Sequence, residues 1–230
     1  VNKSIKSALI VTTDKVYKNE NKKIKFNERD SLEGKDPYSA SKVVQEILTF
    51  SYEKSFFSKN NLKGKISTVR SGNVIGGGDY SNNRLVPDIL DAINNKKILN
   101  LRNPKHIRPW QHVIEPLYGY LLLAKKQYEN QLINIEPVWN FGPKKTNFIN
   151  VAKICEIFKK YDSKLKTKVF KNSNNIYNES IVLMLDSKKS RKYLGWKPSL
   201  KIHQSVNKIM EWNNLKKKMG AYKITEKQII

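Results

Sequence analysis

Tyr38 and Lys42 stand four residues apart in the run Asp36-Pro37-Tyr38-Ser39-Ala40-Ser41-Lys42. If that run opens a helix, both side chains leave one face, a turn apart. An ammonium close to a phenol favours the phenolate. A phenolate can take a proton from a substrate hydroxyl near neutral pH, which free tyrosine does poorly. A surface Tyr and Lys on a lysine-rich chain would show the same spacing, so the flanking elements have to decide. Upstream, Ala8-Leu9-Ile10-Val11-Thr12-Thr13-Asp14-Lys15 is an apolar run that ends in polar, reactive side chains. A buried parallel strand delivers chemistry at its carboxyl end in this way.

Around these residues the pattern alternates between strands and helices. Residues 8–14 read as a strand, followed by a polar, lysine-rich loop through Gly34. Residues 38–57 read as a long helix whose apolar set (Val43, Val44, Ile47, Leu48, Phe50, Tyr52, Phe56, Phe57) is wider than one stripe, so cover on more than one side is expected. Residues 65–70 form a second strand that runs into Ser71-Gly72-Asn73-Val74-Ile75-Gly76-Gly77-Gly78-Asp79, where the glycines allow tight turning or close approach of a ligand. Further helices are expected at 85–93, 115–128, 150–161, 187–194 and 202–215, and short strands at 98–102 and 138–143. Residues 182–185 read as extended, and the tail after Gly220 as loose. The alternation indicates an α/β chain with a parallel sheet. No strand–GxGxxG–helix unit is present.

Composition narrows the function classes. The 230 residues suffice for one large domain or two small ones. No run of eighteen apolar residues occurs, so no membrane span or membrane partner is expected. Val1-Asn2-Lys3-Ser4 is neither a signal nor a transit peptide, and the first residue is not Met, which fits a chain that begins inside a longer protein. Cys155, the only cysteine, sits among apolar residues at helical spacing and reads as a structural thiol in a reducing cytoplasm. The formal charge of +24 comes mostly from scattered lysines; the arginines are Arg29, Arg70, Arg84, Arg102, Arg108 and Arg191. Arginine is the residue suited to bidentate phosphate and base recognition. The excess therefore reads as a solvated surface, and no specific nucleic acid is expected as a partner. His106 and His112 are six residues apart with no paired cysteines or carboxylates, so no metal site is expected.

Thr13-Asp14-Lys15, Tyr38-x-x-x-Lys42, the run 70–79, Arg108-Pro109-Trp110-Gln111-His112-Val113 and Tyr193-Leu194-Gly195-Trp196-Lys197-Pro198 follow one another in an order that resembles the extended short-chain dehydrogenase/reductases. Segments 72–79 and 108–113 resemble the CDP-sugar branch of the 4,6-dehydratases rather than the dTDP-glucose enzymes or the UDP-sugar epimerases. The resemblance covers residues 8–215, as roughly the last two-thirds of such an enzyme. It implies an incomplete doubly wound, Rossmann-like parallel sheet with a smaller α/β substrate domain. Residues 1–77 and 112–142 would belong to the dinucleotide half. Residues 78–111 and 143–215 would form the sugar-nucleotide half, and 216–230 a tail.

The implied chemistry is dehydration of a nucleotide-activated glucose, CDP-glucose to CDP-4-dehydro-6-deoxyglucose, with NAD as cofactor, in nucleotide-sugar metabolism that feeds polysaccharides such as O-antigen. Tyr38 would remove the 4-hydroxyl proton. Lys42 would hold the nicotinamide ribose. Thr13 would hydrogen-bond the 4-oxygen, and Asp14 would protonate the departing 6-hydroxyl. Lys15 stands where dTDP-sugar relatives carry a glutamate base, which leaves open the group that takes the C5 proton. Ser71 would lie near the nicotinamide. Asn73 would bind the diphosphate or a sugar hydroxyl, Arg84 with the backbone of Leu85 and Val86 the nucleotide, Arg108 the diphosphate, and Asn140 the phosphates. The resemblance also implies a homodimer through helix 38–57. Without the glycine-rich half the chain is expected to be inactive alone. The alternatives are a non-catalytic sugar-nucleotide-binding remnant and an epimerase of the same family.

Overall fold

The computed structural model describes residues 4–21, 23–58, 62, 64–169 and 180–229; Val1, Asn2 and Lys3, read above for leader signals, lie outside the described residues. The chain is organised as two compact units. The first comprises 1–72, 115–143 and 183–198, and the second 73–114, 144–182 and 199–230. Residues 73–77 and 112–114, expected in the dinucleotide half, fall in the second unit, and two larger differences follow. Residues 183–198 fall in the first unit, because Phe26 Nα–H donates to the Met184 carbonyl and Asp186 Nα–H to the Phe26 carbonyl, both at or below 2.9 Å. The tail is not loose either, as described below.

The first unit is built on strands β1 (Ala8–Val11), β2 (Ile66–Ser71) and β6 (Val138–Phe141), all parallel, in the order β1-β2-β6. Side chains alternate across such a sheet with a period of two. On one face Leu9, Val69, Trp139 and Phe141 pack with Leu123, Tyr120 and Leu122 of α3 (Ile114–Tyr128). On the other face Ala8, Ile10 and Ile66 pack with Phe57 and Leu62. Thr68 and Arg70, of the same parity, meet helix α1 (Pro37–Tyr52). Helices on both faces of a parallel sheet are the mark of a doubly wound α/β architecture. Among the described residues β1 is paired to β2 alone; on its other edge no strand pairs with it, the Val11 carbonyl meets Lys42 Nζ, and Val11 is 50% exposed.

α1 starts where the sequence says it should. Asp36 caps it, its carboxylate accepting from the Tyr38 and Ser39 N–H groups, with Pro37 in the first helical position. The expected helix 38–57 stops being α-helical at Tyr52 and continues as one π-turn, Glu53–Phe57, with Ser58 Nα–H bonded to the Glu53 carbonyl. Its burial is also inverted relative to an ordinary surface helix. Ser39, Glu46 and Thr49 are buried, whereas Val44, Ile47, Leu48, Phe50 and Tyr52 are more than half exposed.

The second unit has two small sheets. β3 (Asn73–Ile75) and β5 (Ile107–His112) are parallel, and β7 (Phe148–Asn150) joins β5 antiparallel. β4 (Ile98–Leu101) pairs with β8 (Lys166–Val169). One apolar core joins Ile89 and Ile93 of α2 (Leu85–Asn94), Ile154 and Phe158 of α4 (Val151–Tyr161), and Val206 and Ile209 of α6 (Ile202–Met219). Cys155 lies in this core, where burial pushes its thiol up to about 11, as a structural thiol requires. α5 (Lys188–Leu194) belongs to the first unit. Residues beyond Gly220 form α7 (Ala221–Ile229), held by the fully buried Ile224 and by a 2.9 Å bond from Trp212 Nε1–H to Thr225 Oγ1.

Candidate active site at the end of β1

The carboxyl ends of β1 and β2 and the first two turns of α1 meet in the first unit. Thr12, Thr13 and Asp14 are buried at the end of β1. Thr13 caps a 3-10 turn over Asp14–Val16 and donates its hydroxyl to Asp14 Oδ1 at 3.2 Å. Lys42 Nζ donates to the Val11 carbonyl at 3.2 Å and to Gln45 Oε1 at 3.0 Å. Tyr38, one turn earlier on α1, is 49% exposed. Lys15 is exposed beside this turn, and its charge reaches the Asp36 cap. Burial works against the Asp36 carboxylate, but the Ser39 hydrogen bonds and the Lys15 charge hold it below its ordinary value. The loop before α1 can come this close because Gly34 has no side chain; a Cβ there would sit 2.3 Å from Ala40 Cα. Ser71 ends β2 and shares a 2.6 Å hydrogen bond with the Tyr120 hydroxyl. Burial raises the Tyr120 phenol and the Ser71 bond partly offsets this.

Asn140 needs a correction. It is fully buried, its amide donates to the Phe26 and Asp186 carbonyls at 3.0 and 3.2 Å, and its Oδ1 accepts from the Tyr17 hydroxyl at 2.7 Å. An asparagine so engaged holds loops onto β6 and has no amide group left for a phosphate.

The remaining expected residues lie in the second unit. Asn73 opens β3. Arg84 is exposed at the N-terminal cap of α2, with Leu85 and Val86 in the first turn, where helix N–H groups and dipole favour an anion. Val86 itself faces the core, so only its backbone could serve a ligand. Arg108 is buried; it donates to the Ile107 and Ile181 carbonyls at 2.9 and 3.4 Å and to His106 Nδ1 at 3.1 Å. The glycine run 76–78 serves packing: a Cβ on Gly77 would lie 2.2 Å from Trp212 Cγ, and Gly78 has φ +83°. Among the described residues no group of three or more His, Cys, Asp or Glu could hold a metal, and no helix is long and apolar enough to cross a membrane.

Sequence reasoning missed the polar cluster behind Tyr38 and Lys42. Glu46 takes Arg70 in a bidentate pair, Nε to Oε1 at 2.8 Å and Nη2 to Oε2 at 3.0 Å, with both side chains buried. Arg70 Nη1 donates to the Tyr17 hydroxyl at 2.8 Å. Burial works against the Arg70 charge, but Glu46 and Tyr17 outweigh it and hold the guanidinium above its ordinary value. Burial likewise pushes the Tyr17 phenol up, against the pull of Arg70. The available signal was the spacing: Glu46 follows Lys42 by four and Tyr38 by eight, on one helix face.

Comparison with known proteins gives this arrangement a lineage. The profile of the GDP-mannose 4,6 dehydratase family matches residues 2–209. The chain belongs to that family. Within curated proteins it is similar to the CDP-glucose 4,6-dehydratase of Salmonella typhimurium, 36% identical over 217 residues that make up 91% of this chain and 59% of that protein. The chain thus spans about three fifths of that relative's length. Among solved structures it superposes on a UDP-glucuronic acid 4-epimerase from Bacillus cereus with a TM-score of 0.75, at 18% identity, covering 90% of this chain and 60% of that one. A dTDP-glucose 4,6-dehydratase from Bacillus anthracis, solved with NAD, gives a TM-score of 0.72 at 18% identity, covering 95% and 64%. At this identity the structures establish the fold alone, a Rossmann-like α/β architecture.

Proposed function

We propose that this chain is the catalytic and sugar-nucleotide-binding part of an NAD-dependent 4,6-dehydratase, with CDP-glucose as substrate. The observation that carries the reading is the contact of Lys42 Nζ with the Val11 carbonyl, which sets the Tyr38–Lys42 face of α1 at the strand end bearing Thr13 and Asp14. The 36% identity to the Salmonella CDP-glucose 4,6-dehydratase supports the choice of sugar nucleotide.

The donor set suits the nicotinamide-ribose end of NAD. An ammonium has three N–H donors. Two of those of Lys42 go to Val11 and Gln45, which leaves a third for a ribose hydroxyl. The glycine-rich loop that seats a pyrophosphate is not within these 230 residues. When bound, NAD supplies the oxidising and reducing equivalents that make the sugar C5 proton acidic and restore the product. In this reading Tyr38 takes the 4-hydroxyl proton, and its partial exposure leaves the phenol open to substrate. Thr13 steadies the 4-oxygen. Asp14, buried against Thr13, gives its proton to the departing 6-hydroxyl. Lys15, exposed within the turn, sets a positive charge beside the Asp36 cap, and the group that takes the C5 proton stays open. Ser71 would border the nicotinamide. Arg84 with the Leu85 and Val86 backbone, and Asn73, would take the nucleotide and diphosphate. Arg108, held by its carbonyl partners, would set positive charge against the diphosphate. The exposed apolar residues Val44, Ile47 and Leu48 fit α1 for pairing with a second copy.

The test is a chimera that joins the nucleotide-binding segment of the Salmonella relative to this chain, supplied with CDP-glucose and NAD. Formation of a 4-keto product that has lost one water is expected, and Tyr38→Phe should lower turnover by at least about 1000-fold, in line with loss of a positioned general base. An epimer in place of the dehydrated sugar, or a Tyr38→Phe chimera that turns over normally, would refute the reading.

A further inference from the structure

The face that α1 presents to the sheet is polar, and its centre is a single carboxylate with every acceptor position occupied. Glu46 Oε1 accepts from Thr12 Oγ1 at 2.5 Å and Arg70 Nε at 2.8 Å. Its Oε2 accepts from Thr68 Oγ1 at 2.7 Å and Arg70 Nη2 at 3.0 Å. Arg70 in turn meets the Tyr17 hydroxyl at 2.8 Å and lies over the Tyr17 ring at 4.8 Å. The cluster therefore ties α1 to the ends of β1 and β2 and to the turn that follows Asp14–Val16.

Apolar packing cannot do this job for α1. Its large apolar side chains Val44, Ile47, Leu48 and Phe50 point outward, and Val43 is the one that packs against a buried cluster of the first unit, beside Tyr17 and Phe26. Apolar contact is also non-directional and would tolerate sliding. A bidentate guanidinium–carboxylate pair fixes both distance and angle. Lys42 and Glu46, one turn apart, touch the consecutive residues Val11 and Thr12. A slip of one residue along the helix would shift that face by roughly 1.5 Å and turn it by about 100°. A displacement of about 1 Å is enough to cost on the order of 100-fold in a reaction that depends on alignment.

We propose that Glu46, clamped by Arg70, Thr12 and Thr68, with Arg70 held in turn by Tyr17, is the positioning residue that sets the rotation and height of α1 and thereby places Tyr38 and Lys42 over the end of β1. It touches no reacting atom; it acts through the helix. The inference rests on the proposed function only for what Tyr38 and Lys42 do, and their placement is measured without turnover.

The experiment uses this chain with ¹³Cε-labelled lysine and unmodified ammonium groups, the Lys42 Cε–Hε signal being assigned by Lys42→Arg. Glu46→Asp keeps the charge and draws the clamp in by one methylene. Thr12→Val removes one hydrogen bond and leaves the ion pair. In each variant that melts with the wild type, the Lys42 resonance is expected to move toward those of exposed lysines as the Val11 contact loosens. Thr12→Val serves alone if Glu46→Asp does not fold. A Lys42 signal unmoved in a folded variant would overturn the proposal and leave Glu46 a stabilising residue only. Absence of CDP-glucose turnover in the chimera would count against the proposed function and leave this signal unaffected.

Discussion

Single residues in this chain are read most safely through the groups they touch. Tyr38 and Lys42 were legible because their spacing alone puts them on one helix face, and the contact of Lys42 with Val11 follows from it. Asn140 was misread, because an asparagine at the carboxyl end of a strand looks the same in sequence whether it faces a ligand or, as here, three internal partners. Glu46 was overlooked because a glutamate on a helix is usually solvated; only its partner in β2 shows otherwise. His112 offers a test of burial at this scale. Its Nε2 has no partner among the described residues, and burial, with help from the Lys208 charge, pulls the imidazole down to about 4 from 6.5. Between those values the unfolded chain binds the proton that the folded chain refuses, so stability falls as pH falls from 6.5 toward 4. The contribution is at most about 3 kcal/mol. His112→Gln should flatten the dependence of melting temperature on pH across that window, and an unchanged slope would show that other groups set it.

Most elements with strong apolar periodicity were found from sequence, as were α1 and α5 from their caps and breakers, whereas β5, β8 and α7 were not. β1, β2, β6, α2, α3, α4 and α6 each carry a run that burial alone explains. β5 was hidden because Arg108, Pro109, Gln111 and His112 fill a strand that the second unit buries almost entirely. β8 was hidden by its lysines, and α7 by Gly220, whose φ of +81° makes a hinge between two helices and not an end. The glycine run was read as a turn or a place for a ligand; Gly77–Gly78 is a turn, with φ +83° at Gly78, and the Trp212 ring occupies the space beside it. Gly77→Ala should therefore destabilise the chain by about 1–3 kcal/mol in urea unfolding, the usual cost of forcing a methyl group into a packed contact. A change below about 0.5 kcal/mol would mean that Trp212 moves aside freely.

For the whole molecule, two properties act against each other. A formal charge of +24 keeps copies apart at low ionic strength. The open edge of β1, apolar along Ala8-Leu9-Ile10-Val11 and lacking a charge or proline within the strand, offers another strand a place to add. Salt shortens the reach of the charge to about 8 Å at physiological strength and leaves the edge untouched. Light scattering of the isolated chain should show growth of species beyond a dimer as salt is raised, and Val11→Lys should suppress it; growth unaffected by Val11→Lys would place the sticky surface elsewhere. The lysine surplus then works as colloidal insurance for an adhesive seam, and whatever strand comes to lie along that seam relieves the molecule of its dependence on dilute buffer.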